Sequence, residues 1–401
     1  MPEKADVVII GGGVMGCAIA YNLAREGLKP VVIEKSDIGG EASGANGGGV
    51  RQSARNLKEM PLAIESIQIY GQLHEELGMD VEYVRKGNLR LCTSEEELDT
   101  MRTSVENQKA ANLELEMLDR KQVLDINPHI GEKVLGASYC PTDGHVNPFL
   151  VTYAFFQKAK SLGARIFTHE EVRDIRLQKN KVSAVITDRQ IFETDLVVNA
   201  AGVAGRNVAN MVGLDLPMRP VFSEAMITEA YPPLFQQMIG HAKGLFYGRQ
   251  TVHGSFFWGG FVSTEQFIHR EGKPLFHFIG PAISSMVIDF FPILKDVNVI
   301  RTWSGLIAQM SDAIPVLGFT EEVPGFVFAT GFSGHGFGLA PIIGRLISEL
   351  IMDCQTSIPI SDFCFGRFSK GGDQECACQG NAVCSTVTAV CPNKREWLKS
   401  I

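Results

Sequence analysis

The chain opens with a short β-branched apolar run, Ala5 to Ile10, followed by three consecutive glycines and then by apolar positions at helical spacing through Arg25. A strand pattern that passes into a helix pattern across glycine predicts strand, tight turn and helix. Gly27 stops the helix, and Pro30 to Ile33 supplies a second apolar strand, which completes a βαβ unit. Gly39 to Arg51 follows that strand directly and is too glycine-rich for either regular structure, so it reads as a loop. Much later, the aromatic runs Leu245 to Gly248 and Ser255 to Trp258 read as strands of a sheet. Aromatic residues in such runs more often pack in a core than line a pocket.

The first glycine turn carries chemistry. Gly11, Gly13 and Gly16 stand at the spacing G-x-G-x-x-G, with Val14 and Met15 inside the turn. Gly11 permits the tight turn, Gly13 lets backbone amides approach a pyrophosphate at the helix N-terminus, and Gly16 lets the helix lie close to the strand. Glu34, about twenty residues on, can accept hydrogen bonds from ribose hydroxyls, and Lys35 adjoins it. The acid disfavours a 2′-phosphate and hence NADP, while FAD and NAD both fit the fingerprint. In the loop that follows, Ser43 and Asn46 add side-chain donors to the exposed N–H groups of Gly47 and Gly48. Cradling a ligand is one reading of that loop, and a flexible surface segment is the other.

Composition narrows the classes. With 45% hydrophobic and 20% charged residues over 401 positions, the chain has material for a large core and suits about two domains. A net charge of −8 gives no reason to approach nucleic acid or anionic lipid. The apolar stretch Val7 to Ala24 has acidic flanks and a glycine break, unlike a signal peptide, and no run is suited to spanning a bilayer. Nine cysteines, an odd number, argue against a full disulfide framework, and a reducing cytoplasm is expected.

Taken with the fingerprint and its loop, two further segments give the chain a resemblance to the D-amino-acid-oxidase-like flavoproteins, which include glycine oxidase, sarcosine oxidase and amino-acid dehydrogenase subunits. Asp195 to Gly202, containing Ala201 and Gly202, is similar to that family's second FAD-contacting strand, with Val172 upstream at the end of a short strand near the adenine. Gly331-Phe332-Ser333-Gly334-His335-Gly336-Phe337-Gly338-Leu339-Ala340-Pro341 resembles its late flavin loop, with a helix expected from Ala340. His335 is there either a flavin neighbour or a satisfied loop histidine. The resemblance covers residues 5 to 368 and implies noncovalent FAD, because Gly305 takes the place of a flavin-linking cysteine. It implies an α/β fold in which a Rossmann-like FAD-binding domain (1–88, 137–217 and 313–368) interleaves with an α+β substrate domain on a mixed or antiparallel sheet (89–136 and 218–312).

The activity so implied is oxidation of the C–N bond of a small amino acid or secondary amine by hydride transfer to flavin N5. Tyr247 matches a tyrosine that relatives place near substrate. Two usual carboxylate anchors are missing: Ile307 stands in the place of an arginine, and Gly338 in the place of a lysine. Arg51 is the remaining candidate anchor, with a salt bridge or flavin contact as the alternative, and Arg249 is a weaker one. No lysine stands near Phe257 to serve oxygen, and Trp303 to Pro315 resembles flavin subunits of multi-subunit dehydrogenases. A second subunit or acceptor protein is therefore expected; a stand-alone peroxide-forming oxidase and a non-catalytic scaffold are the alternatives. In the tail, 369–401, Cys376, Cys378, Cys384 and Cys391 either bind a metal or iron–sulfur cluster or are free thiols or part of a partner-contacting tail.

Overall fold

The computed structural model describes residues 2–260, 279–353 and 355–368. The tail cysteines lie outside the described residues.

The opening βαβ pattern builds the centre of a six-stranded sheet. Its order is Val316–Phe319, Phe326–Thr330, Val197–Asn199, Val7–Ile10, Pro30–Ile33 and Arg165–Phe167, parallel except for the first pair. The strands are nearly all apolar because both faces are covered. Val7 and Ile9 point into a core shared with the helices Val14–Arg25, Met60–Leu77, Pro148–Ser161 and Gly336–Asp353. Val8 and Ile10 point to the other face, where Ile175, Val185 and Phe192 of a four-stranded sheet cover them.

The aromatic runs belong to a second, eight-stranded sheet. Its order is Val299–Met310, Met218–Ala230, Ser255–Gly260, Phe246–Gln250, Met238–His241, Asn88–Cys92, Gly136–Cys140 and Glu116–Asp119. All neighbours are antiparallel except Met238–His241 with Asn88–Cys92. Alternation sorts its aromatics: Phe246, Phe256 and Trp258 pack with Ile283 and Val287 of the helix Ile279–Phe290, whereas Tyr247 and Phe257 take the opposite face. The fold is thus α/β, a Rossmann-like layer joined to a mixed-sheet layer.

Three expectations need correction. Gly136–Cys140 pairs with Asn88–Cys92 in the eight-stranded sheet, so a domain boundary at 137 would cut a strand. Val172 begins the strand Val172–Gln178 instead of ending one. The last long helix starts at Gly336, not Ala340, because the helical turn absorbs the end of the glycine loop. Cys17, Cys92 and Cys140 are buried and free, while Cys364 is disulfide-bonded. Among the described residues no helix is long and apolar enough to cross a membrane.

Candidate active site and cofactor cleft

A cleft of about 340 Å³ runs between the two sheets. Its first half is made of backbone. Gly11 sits at φ +113°, and a side chain there would come within 2.5 Å of the Ala200 carbonyl oxygen. Gly16 does not touch the cleft; a Cβ on it would stand 1.9 Å from the Gly11 carbonyl oxygen, so its absence lets the helix close onto the turn. The amides of Gly13 and Met15 take no partner among the described residues, whereas that of Val14 donates to Ser43 Oγ at 2.9 Å. Two open N–H groups at a helix N-terminus are what a pyrophosphate requires. The Glu34 carboxylate already accepts from Gly12 N at 2.7 Å, Ser36 N at 2.8 Å and Ser36 Oγ at 2.9 Å, leaving roughly one of its four acceptor positions for a ribose. These residues fit FAD: a lined channel, bare amides and a fixed carboxylate lie in the order in which a dinucleotide would meet them.

The second half is made of side chains from the eight-stranded sheet. Ser223, Ala225, Tyr247, Gly305 and Ile307 line it. Burial raises the Tyr247 phenol above its ordinary pKa, against the opposing effects of its hydrogen bond to Ser223 and the nearby Arg51, so it stays protonated as a donor. Trp303 Nε1 donates to the Ala45 carbonyl at 3.0 Å and ties the sheet to the loop.

Behind this end lies a buried charged cluster. Asp143 accepts from Gln52 N at 2.7 Å, Ser53 Oγ at 2.5 Å and, more weakly, Asn88 Nδ2 at 3.4 Å. Glu59, fully buried, holds His335 Nδ1 at 2.8 Å and lies 3.9 Å from the Arg55 guanidinium. Burial, helped by Arg51 and Arg55, pushes His335 down to about 4 despite its hydrogen bond to Glu59. It is therefore neutral at physiological pH.

The expected site residues divide clearly. Gly11, Gly13, Val14, Met15, Glu34, Lys35, Ser43, Asn46, Val172, Ala201, Gly202, Gly331, Gly334, Gly336, Phe337 and Tyr247 all line the cleft. Gly47 and Gly48 do not: side chains there would meet the Phe257 ring at 2.3 Å and the Val146 carbonyl oxygen at 2.1 Å, so these glycines serve packing. His335 turns away to Glu59, which resolves it as a satisfied loop histidine. Arg51 is committed to the carbonyls of Ser53 and Ala54 at 2.5 and 2.9 Å and stands outside the cleft wall. Arg249 is locked onto the carbonyls of Gly47 and Val146. No local motif marks Ser223, Ala225, Arg55, Glu59, Arg90 and Asp143, because strands, loops and a short helix far apart in the chain bring them together. A Cβ on Gly338 would stand 2.6 Å from Arg55 Nη2, so an arginine fills the space where a lysine was sought.

Comparison with known proteins agrees with this geometry. The family described as "FAD dependent oxidoreductase" matches residues 6–350. Glycine oxidase of Geobacillus kaustophilus is 28% identical, over 92% of this chain and 98% of its own length. One of the subunits of the opine oxidase of Agrobacterium tumefaciens is 29% identical, over 91% and 98%. The mitochondrial dimethylglycine dehydrogenase of Mus musculus is 26% identical, and the match spans 92% of this chain but only 44% of that longer protein. Among solved structures, L-proline dehydrogenase from P. horikoshii superimposes with a TM-score of 0.86 at 30% identity, over 92% of this chain and 98% of that one.

Proposed function

The chain belongs to the family of FAD-dependent oxidoreductases, and from that premise we propose that it oxidises the C–N bond of a small amino acid or secondary amine as the flavin subunit of a multi-subunit dehydrogenase. The observation that carries the reading is the continuity of one cleft from the bare amides of the glycine turn to Tyr247 on the sheet. Gly11, Gly13, Val14 and Met15 would hold the pyrophosphate, and Glu34, Lys35 and Val172 the adenosine. Ser43, Asn46, Ala201, Gly202, Gly331, Gly334, Gly336 and Phe337 would surround the flavin, where N–H groups at the start of the helix Gly336–Asp353 favour negative charge. When bound, FAD supplies the acceptor for the substrate hydride. The protein's own task is to orient the substrate, with Tyr247 donating from the sheet side. Glycine oxidase, opine oxidase and proline dehydrogenase, as their names state, act on substrates of this class. Support for a partner comes from relatives that are named as subunits, those of opine oxidase and of sarcosine oxidase. The glycine oxidase match over nearly its full length favours a second reading, a stand-alone oxidase.

The test is anaerobic bleaching of the flavin absorbance by glycine, sarcosine, proline, hydroxyproline and opines, followed by air. Bleaching with slow recovery is the expected outcome. Rapid recovery with peroxide identifies the oxidase, and failure of every compound to bleach would point to a scaffold role.

A further inference from the structure

Arg249 is buried on the strand Phe246–Gln250, two residues after Tyr247, so strand alternation sends both side chains to the same face of the sheet. All three nitrogens of its guanidinium group donate: Nε to the Gly47 carbonyl at 2.7 Å, Nη2 to the Val146 carbonyl at 3.0 Å and Nη1 to His145 Nδ1 at 3.3 Å. His145 can accept because burial, with the field of Arg249, holds it neutral, and its Nε2 donates to the Gln236 carbonyl at 3.2 Å. Among the described residues no carboxylate is in ion-pair contact with Arg249; Glu82 acts on it only at a distance and is bonded to Asn147 and His253. A buried guanidinium without a paired acid is costly to a fold, and this one spends its donors on the backbone at the root of the glycine-rich loop. The Val146 amide donates in turn to the Gly48 carbonyl at 2.9 Å, and Gly49 pairs with His145, so the guanidinium sits across the short ladder on which the loop is mounted.

Gly47 is where the two halves of the cleft are joined. Phe257 stands opposite Arg249 in the sheet register, and a Cβ on Gly47 would lie 2.3 Å from its ring. A cross-strand pair therefore grips one peptide, by a ring against its Cα and by a guanidinium on its carbonyl. The Phe257 ring also packs against that of Tyr247, with centroids 5.8 Å apart. On the loop side, Asn46 Oδ1 accepts from Gly48 N at 2.7 Å, Asn46 Nδ2 donates to the Ser43 carbonyl at 2.7 Å, and Ser43 Oγ accepts from the Val14 amide at 2.9 Å. An unbroken series of contacts thus runs from the strand of Tyr247 through Gly47 to the dinucleotide turn. Gln250, next along the strand, makes the contrast. It too is buried and donates to three carbonyls, those of Tyr231, Pro232 and Gly254, but none of these residues lines the cleft.

We propose that Arg249 is a positioning residue: by holding the Gly47 carbonyl it sets the side chains of Ser43 and Asn46 against Tyr247, so that the cofactor loop and the sheet keep one register. This rests on the assignment of Ser43 and Asn46 to the flavin under the proposed function, and it is independent of which substrate is oxidised. Losing the guanidinium releases the Gly47 peptide while leaving every cofactor-facing residue in the chain.

The test compares FAD-loaded variants by three readouts: flavin fluorescence on dilution, which reads FAD dissociation, visible circular dichroism of the bound flavin, and the urea midpoint. Arg249→Gln should raise the FAD dissociation constant on the order of 30-fold, and Arg249→Lys, which keeps the charge but reaches fewer carbonyls, by about tenfold or less. Both should alter the flavin dichroism. Gln250→Met should lower the urea midpoint and leave FAD dissociation and dichroism as in the wild type. Arg249→Lys combined with Asn46→Ala should lose far less than the two single losses multiplied together, because both act through one peptide. The proposal is overturned if Arg249→Gln and Arg249→Lys retain FAD as the wild type does, if Gln250→Met loses FAD to the same degree, or if the double variant shows the full multiplied loss. Should Arg249→Gln not fold, Arg249→Lys and the double variant decide the matter. A wild-type protein that retains no FAD overturns the proposal together with the flavin reading. Loss of FAD in the Arg249 variants of a protein whose flavin no amino acid bleaches would keep the positioning role and remove the oxidation reading.

Discussion

The two ends of the cleft are made of different material. At the dinucleotide end the working groups are backbone amides and missing side chains, contributed first by Gly11 to Gly16 within one turn. At the sheet end they are side chains brought from Ser223, Tyr247 and Ile307, backed by groups from still other strands and loops. A site built from backbone is encoded locally and tolerates no added atom. A site built from side chains is encoded by register, and its members can be exchanged one at a time.

The largest expected effect breaks the first half. Gly16→Val should lose FAD retention and cost about 4 kcal/mol or more, because the new Cβ meets a carbonyl oxygen that neither helix nor strand can move. Absorbance of the purified protein and urea unfolding would show it, and a variant that keeps its flavin would refute the packing argument. Next, Asp143→Ala should cost about 3–5 kcal/mol in urea unfolding, since several buried donors lose their acceptor and nearby guanidiniums lose a counter-charge. A loss under about 1 kcal/mol would mean that the cluster is not held through Asp143.

That contrast also explains what is legible in the chain. The βαβ unit, Glu34 and the late loop can be read because a glycine spacing and a hydrophobic period fit within a short window. Tyr247 is found through resemblance, and alternation alone would place it opposite Phe246. Asp143, Glu59 and Arg90 are invisible there: each becomes meaningful only when a turn, a short helix and a strand distant in the chain come together. Arg51 and His335 are legible as polar residues beside the right loops, but their bonds to Ser53, Ala54 and Glu59 direct them elsewhere.

A smaller effect sharpens the comparison through pH. His145 and His335 are held neutral, at about 3 and about 4, chiefly by burial. Their folded values lie below the unfolded value of about 6.5, so the unfolded chain binds more protons between these limits. Stability from these groups is complete above about pH 6.5 and falls as pH drops toward about 4 and then about 3. Melting temperature measured from neutral pH down to about pH 4 should decline, and His335→Gln should flatten part of the slope. An unchanged slope would show that His335 is not desolvated as described.

The arginine that occupies the space above Gly338 has a consequence for anyone redesigning this scaffold. Positions 55 and 338 share one volume, with 2.6 Å between Arg55 Nη2 and where a Gly338 Cβ would stand. Adding a lysine at 338 alone meets Arg55, and shortening Arg55 alone removes the guanidinium beside the buried Glu59, which keeps only its bond to His335. The paired exchange relieves the first conflict and restores a cation near the second. Epistasis between these two sites should therefore be strong, and a mutational path through either single variant crosses a valley that the double variant avoids.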